Sequence, residues 1–232
     1  MRPTTFAGVP RLYNRLYDKV LAMVNTSSPI KRWLFNTAYN QKLANLRATG
    51  SVTHPIWDRI VFSNIAAKLG GRTRLMVTGS APIADNVLQF LRICFSCHVV
   101  EGYGQTETTA AATLTRLGDD RSFGNVGTPL VCTLVKLVAV PEMGYTENDV
   151  VNGAPCPRGE VCFKGYNVFA GYYQDKEKTQ EALDEDGWLH SGDIGKGLFE
   201  TSMVSVRMMC FVSLLTRVFL FLVSFSLRHV AP

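Results

Sequence analysis

The stretch Glu101-Gly102-Tyr103-Gly104-Gln105-Thr106-Glu107-Thr108-Thr109-Ala110 combines carboxylates, hydroxyls, an aromatic ring and glycines behind the apolar run 90–100. The hard oxygens of Thr106 and Glu107 suit Mg²⁺ and phosphate, and the Tyr103 ring could stack on a purine. Two more segments of similar character follow: Gly124-Asn125-Val126-Gly127-Thr128-Pro129 and Trp188-Leu189-His190-Ser191-Gly192-Asp193. A carboxylate such as Asp193, at the end of a strand, can accept both hydroxyl hydrogens of a ribose. Upstream, Gly79-Ser80-Ala81-Pro82 marks the point where the chain leaves a strand. Glycine tolerates a strained turn there, and the small Ser80 and Ala81 leave room for a flat ring. Each feature alone has a plain structural reading: a βα turn, a packed tyrosine, a solvated glutamate, an Asp beside a turn glycine. Their conjunction points to a nucleotide.

The elements that must hold these residues follow from hydrophobic period. Residues 4–9 predict a short strand, and Pro10 opens a helix to residue 24 with Leu12, Tyr13, Leu16, Tyr17, Val20 and Met23 at helical spacing. Asn25-Thr26-Ser27-Ser28-Pro29 breaks it and caps a second helix whose apolar positions include Ile30, Trp33, Leu34, Tyr39 and Leu43. After a loop over 50–54, a third helix is expected from Trp57 to Leu69, burying Ile60, Val61, Ile65 and Leu69. Trp33 and Trp57 are expected in the core. The period then changes to a strand at Arg74–Thr78, a helix at Ile83–Cys94 and a strand at Cys97–Val100. That is a βαβ unit, whose loops at the strands' C-terminal ends are where α/β folds bind ligands. Beyond residue 125, Val-rich strands at 133–140, 160–163 and 188–190, with a helix near Lys176–Ala182, predict a strand-rich subdomain. The expected organisation is an α/β part over 1–124, the strand-rich part over 125–200, and an aberrant apolar tail over 201–232.

Composition bounds the function classes. The formal charge is +5, but residues 201–232 hold three arginines and no acid, leaving about +2 for the first 200 residues. No basic block or interleaved aromatic stripe suggests a nucleic-acid groove, so no nucleic acid is expected as partner. Six cysteines, mostly in apolar runs, are too sparse for a disulfide scaffold and read as buried thiols. Cys94-Phe95-Ser96-Cys97-His98 has the spacing of a haem attachment site, but its apolar company argues for a buried strand. The loop after residue 78 lacks the G-x-G-x-x-G spacing of a dinucleotide fold. The start, from Met1 to Phe6, has no apolar signal region and reads like the middle of a domain. Met208–Leu227 is long enough to span a bilayer, but Arg217 in its middle opposes insertion. A frameshift, read-through or mis-joined exon is the favoured account of the tail.

Taken together, Arg2-Pro3-Thr4-Thr5-Phe6, Val9-Pro10-Arg11-Leu12-Tyr13, Thr78-Gly79-Ser80-Ala81-Pro82, Tyr103-Gly104-Gln105-Thr106-Glu107-Thr108, the run from Gly165 to Tyr173 and Gly187-Trp188-Leu189-His190-Ser191-Gly192-Asp193 resemble the adenylate-forming superfamily. Within it they are most similar to the long-chain fatty acid–CoA ligases, over roughly residues 1–197. The resemblance implies a fragment of that family's large N-terminal domain, a βαβ core plus a strand-rich subdomain. It implies an adenine pocket lined by Gly79, Ser80 and Ala81, with Tyr103 and Gly104 beside it, Thr106 on the α-phosphate, Glu107 on Mg²⁺ and Asp193 on the ribose. Thr106 and Glu107 are then the catalytic pair. ATP and Mg²⁺ would be cofactors, with a long-chain fatty acid and coenzyme A as substrates. Membrane association would belong to the full-length protein, at the endoplasmic reticulum, mitochondrial outer or peroxisomal membrane, facing the cytoplasm. The family's Pro-Lys-Gly phosphate loop, its Asp-Arg-x-Lys hinge and its catalytic lysine have no counterpart in these residues, so reduced adenylation is expected. The alternatives are a ligase for a different carboxylic acid and a non-catalytic fragment that binds a membrane or partner.

Overall fold

The computed structural model describes residues 2–120, 123–200 and 203–208; the side chains of 198–200 and 203–208 are not described. The expectations for the tail beyond residue 208 lie outside the described residues. The chain divides into two compact units, one of residues 1–102 and 115–125, the other of residues 103–114 and 126–232.

The first unit is a three-stranded parallel sheet with helices as its crossovers. Strands β1 (Thr5–Gly8), β2 (Leu75–Thr78) and β3 (His98–Tyr103) lie in the order β1-β2-β3, pairing Thr5 with Leu75 and Leu75 with His98. Helix α1 (Pro10–Asn25) starts on proline, whose missing N–H costs nothing in the first turn. The Tyr13 hydroxyl donates to Phe6 O at 2.7 Å and lies 3.0 Å from Val77 O, so one buried ring ties α1 to both strands. Helix α2 (Pro29–Thr49) is capped by Ser28, whose side chain accepts the Lys31 N–H, and ends at Gly50 in the left-handed conformation. Helix α4 (Asp85–Phe95) crosses from β2 to β3 and buries Leu88, Leu91, Ile93 and Cys94 completely.

Two expectations fail here for physical reasons. On α2 the buried stripe is Phe35, Ala38, Lys42 and Leu46, so Trp33 turns outward and is 66% exposed, as is much of Ile30. A lysine in that stripe is what hides it from a hydrophobic pattern. Lys42 is 1% exposed and fully satisfied, with Asp58 Oδ1 at 2.5 Å, Ile93 O and Ser96 Oγ at 2.8 Å, and the Phe62 ring beneath it. The third helix is not one regular helix. It is a π turn over Asp58–Phe62, one α turn, α3, over Ser63–Ala66, and a 3₁₀ turn over Ala67–Leu69. The wide turn carries Phe62 and Ile65 into the core and swings Ile60 out to 54% exposure. Leu12 and Met23, at the edges of the α1 stripe, are also exposed. Trp57 is half-buried and donates its indole N–H to Gln41 Oε1 at 2.6 Å. Cys94 and Cys97 are buried free thiols, and His98 is held at 2.5 Å by Asp120, which also pairs with buried Arg92 at 3.0 Å.

The second unit is built on antiparallel strands. β4 (Thr113–Leu114) pairs with β5 (Thr128–Pro129), and β7 (Val150–Val151) with β8 (Ala154–Pro155) around Asn152-Gly153, both at positive φ as a tight hairpin needs. A four-stranded sheet runs β11-β10-β9-β6, from β6 (Thr133–Val138), β9 (Arg158–Gly165), β10 (Leu189–Glu200) and β11 (Met203–Met208). β10 is much longer than the 188–190 expected, and β11 continues the sheet into the residues read as tail. Helix α5 (Lys176–Ala182) begins at Asp175, whose side chain accepts the Lys178 N–H. Ala112, Val161, Phe163, Phe169 and Leu189 form this unit's core, with Tyr103 packed against it. Among the described residues, no helix is long and apolar enough to cross a membrane.

Candidate functional site

The predicted site residues fall into both units. Gly79, Ser80 and Ala81 belong to the first. They follow β2 directly, with Ser80 and Ala81 exposed and Ser80 at φ 69, a left-handed backbone in a residue that seldom adopts it. A Cβ on Gly79 would lie 2.9 Å from the Gly102 carbonyl oxygen, so glycine is what lets the ends of β2 and β3 approach. Thr78, just before it, has a buried hydroxyl with no hydrogen-bond partner among the described residues.

Tyr103, Gly104, Thr106, Glu107 and Asp193 lie in the second unit. The Tyr103 ring stacks on Phe163, with centroids 5.7 Å apart and planes 28° from parallel. Its hydroxyl donates to Asp193 Oδ2 at 2.6 Å. Burial, reinforced by the Asp193 carboxylate, raises the Tyr103 pKa far above the usual phenol range, so the phenol is a hydrogen-bond donor throughout the physiological range. Residues far apart in sequence thus place an aromatic ring and a carboxylate on one another.

The loop after Tyr103 is tightly determined. A Cβ on Gly104 would overlap the Ala110 carbonyl oxygen and sit 2.7 Å from Ala111 Cα, both backbone, so no other residue fits. Thr106–Thr108 form a 3₁₀ turn, with the Gln105 N–H donating to Thr108 Oγ1 at 2.9 Å. Thr109 and Ala110 then both take positive φ, a strained pair for non-glycine residues. What holds this conformation is Asn167. Its Nδ2 donates to Ala111 O at 2.9 Å, its Oδ1 accepts from Thr133 Oγ1 at 2.9 Å, and its backbone oxygen accepts from Thr109 Oγ1 at 2.9 Å. The Phe169 N–H also donates to Glu107 O at 2.8 Å. Thr106 is exposed at the head of the turn. The half-buried Glu107 accepts the Tyr172 hydroxyl on Oε1 at 2.6 Å. Burial and that carboxylate raise the pKa of Tyr172 too.

Sequence reasoning gave Asn167 and Tyr172 no individual role. Both lie in the Gly165–Tyr173 run, but nothing local reveals that they reach back about 60 residues to the loop. The Gly124–Pro129 segment spans the division between the units, with Asn125 closing the first and Thr128–Pro129 forming β5 of the second.

The profile of the AMP-binding enzyme family matches residues 1–173. The chain belongs to the AMP-binding enzyme family. Over 195 residues it is 50% identical to long chain acyl-CoA synthetase 7, peroxisomal, of Arabidopsis thaliana, covering 84% of this chain and 27% of that protein. Over 198 residues it is 50% identical to long-chain-fatty-acid–CoA ligase 1 of Homo sapiens, covering 85% and 27%. The chain therefore spans about a quarter of the length of these curated relatives. Among solved structures it resembles the A domain of carboxylic acid reductase from Segniliparus rugosus, in complex with AMP and a co-purified carboxylic acid. The TM-score is 0.54 at 28% identity, covering 89% of this chain and 27% of that one.

Proposed function

We propose that this chain carries adenosine-binding machinery of a long-chain fatty acid–CoA ligase. The observation that supports this most strongly is the Tyr103–Asp193 pair. It offers a stacked, half-buried ring for adenine and, 2.6 Å from the tyrosine hydroxyl, a carboxylate suited to the ribose diol. In this reading Gly104 lets the loop close tightly beside Tyr103, and Thr106 hydrogen-bonds the α-phosphate. A fatty acid carboxylate oxygen attacks the α-phosphorus of ATP, the bond to the bridging oxygen breaks, and pyrophosphate leaves. The coenzyme A thiolate then attacks the acyl carbon and AMP departs with the electron pair of the broken C–O bond. Glu107 offers hard carboxylate oxygens on a rigid turn, which fits Mg²⁺, and a cation there would offset charge developing on phosphate. Long-chain acids are favoured over other acids because the 50% identities are to long-chain synthetases. Two such relatives from Arabidopsis thaliana are peroxisomal by name, which supports the peroxisomal membrane over the other two as the place of action.

Acid-dependent exchange of labelled pyrophosphate into ATP tests the reading across acids of graded length and an aromatic acid. Exchange that rises toward long chains supports it. Exchange with the aromatic acid or short chains alone would redirect the assignment to another carboxylate.

A further inference from the structure

The bulge in β10 that presents Asp193 is held by a residue with no assigned role. β9 and β10 pair regularly at Leu189 with Phe163 and His190 with Cys162, and the next pair is Ile194 with Glu160. β10 therefore spends four residues where β9 spends two, and Ser191, Gly192 and Asp193 lie outside the ladder. Gly192 adopts φ 70 there. Such a bulge needs its stranded backbone groups satisfied by something else.

Glu160 does this with both carboxylate oxygens. Oε1 accepts the Gly192 N–H at 2.9 Å, and Oε2 lies 2.7 Å from His190 Nδ1. His190 Nε2 in turn faces Asp184 Oδ2 at 3.6 Å. Within the bulge the Asp193 N–H donates to Ser191 Oγ at 3.1 Å. One largely buried carboxylate thus grips the last paired residue and the apex of the bulge together. The same region brings Glu160, Cys162 and His190 within 4.8 Å, a set of donors that could ligate a metal. The geometry favours a clamp instead, because both Glu160 oxygens already face protein groups, the Gly192 N–H and His190 Nδ1.

We propose that Glu160 is a positioning residue for Asp193, fixing the Ser191–Asp193 bulge so that the aspartate carboxylate is presented to a ribose diol. This rests on the reading of Asp193 as the ribose ligand. The test uses this chain with AMP and 2′,3′-dideoxy-AMP, in the wild type, Glu160→Ala, Glu160→Gln, Asp193→Asn and the Glu160→Ala/Asp193→Asn double variant. Glu160→Ala should weaken AMP about tenfold while leaving dideoxy-AMP nearly unchanged. Glu160→Gln, which retains an acceptor for Gly192, should recover most of the loss. The double variant should bind AMP no more weakly than Asp193→Asn alone. Equal losses for both nucleotides, or additive effects in the double variant, would overturn the proposal. Amide exchange of residues 191–193 in the ligand-free chain decides the clamp independently. Faster exchange in Glu160→Ala, restored in Glu160→Gln, supports it, and unchanged exchange refutes it. A wild type that failed to distinguish the two nucleotides would count against the ribose reading, leaving the exchange result to judge Glu160.

Discussion

Replacing Asn167 by alanine should loosen the Thr106–Ala111 loop without disturbing the rest of its unit. The substitution removes two good hydrogen bonds, to Ala111 O and from Thr133 Oγ1, each at 2.9 Å, and a longer one to Thr108 O at 3.4 Å. Each is worth about 1 kcal/mol net. Thr133 is buried, so its hydroxyl also loses its partner in a place where water reaches poorly. The sum is about 2–3 kcal/mol of local stability. The backbone bond from Thr109 Oγ1 survives, which caps the loss. The loop already stores strain at Thr109 and Ala110, so it should open rather than relax in place. Hydrogen exchange of the Thr108, Ala110 and Ala112 amides, which donate to Gln105 O and Tyr103 O, reads this directly. A change of 2–3 kcal/mol corresponds to exchange about 30- to 150-fold faster, by the rule of tenfold per 1.4 kcal/mol. The amides of α5 provide the internal control and should keep their rates. Acceleration below about threefold at the loop, or equal acceleration in α5, would refute the view that Asn167 holds this turn.

Three other outcomes follow from the same geometry. Gly104→Ala forces a Cβ into the backbone of Ala110 and Ala111 and should cost about 2 kcal/mol or more, seen as a lower urea midpoint for the second unit together with lost AMP binding. Asp58→Ala strands the buried Lys42 ammonium and should destabilise the first unit by about 3 kcal/mol, whereas Lys42→Met combined with Asp58→Ala should recover part of that loss; a double variant less stable than Asp58→Ala would contradict this. Burial raises Cys97 from 9.0 and Tyr39 from 10.0, each to about 12, so both hold protons in the folded chain that the unfolded chain has already released. Their stability contribution is full below about pH 9 and falls as pH rises toward 12; urea midpoints that rose over that window would show the sign to be wrong.

Much of this molecule was legible in its sequence, and the failures share a cause. Pro10, Ser28-Pro29 and Gly50 act locally through φ and capping, so α1 and the ends of α2 can be read directly. The βαβ unit around α4 was equally plain, because Leu75-Met76-Val77 open β2 and Val99-Val100 form the apolar centre of the strand that follows α4. Lys42 was misleading: a lysine paired with Asp58 occupies a core position, and the stripe through Phe35 and Leu46 cannot be seen without it. The π turn at Asp58–Phe62 has no compositional mark, so Ile60 was assigned to the wrong face. At the candidate site, residue types gave Tyr103, Glu107 and Asp193, but their partners Asn167, Tyr172 and Glu160 depend on pairings across the unit. The long β10 was missed because its bulge interrupts the alternation that marks a strand.

Asp193 is the residue on which ribose binding most directly depends. Titration calorimetry of this chain with AMP and with 2′,3′-dideoxy-AMP, repeated for Asp193→Asn, measures the carboxylate's grip on the ribose hydroxyls. The expected result is AMP binding about 10- to 100-fold weaker in the variant, as loss of charged hydrogen bonds implies, with dideoxy-AMP affinity unchanged. Equal affinity of the wild type for both nucleotides, with Asp193→Asn without effect on either, would contradict the assignment of this pair to adenosine.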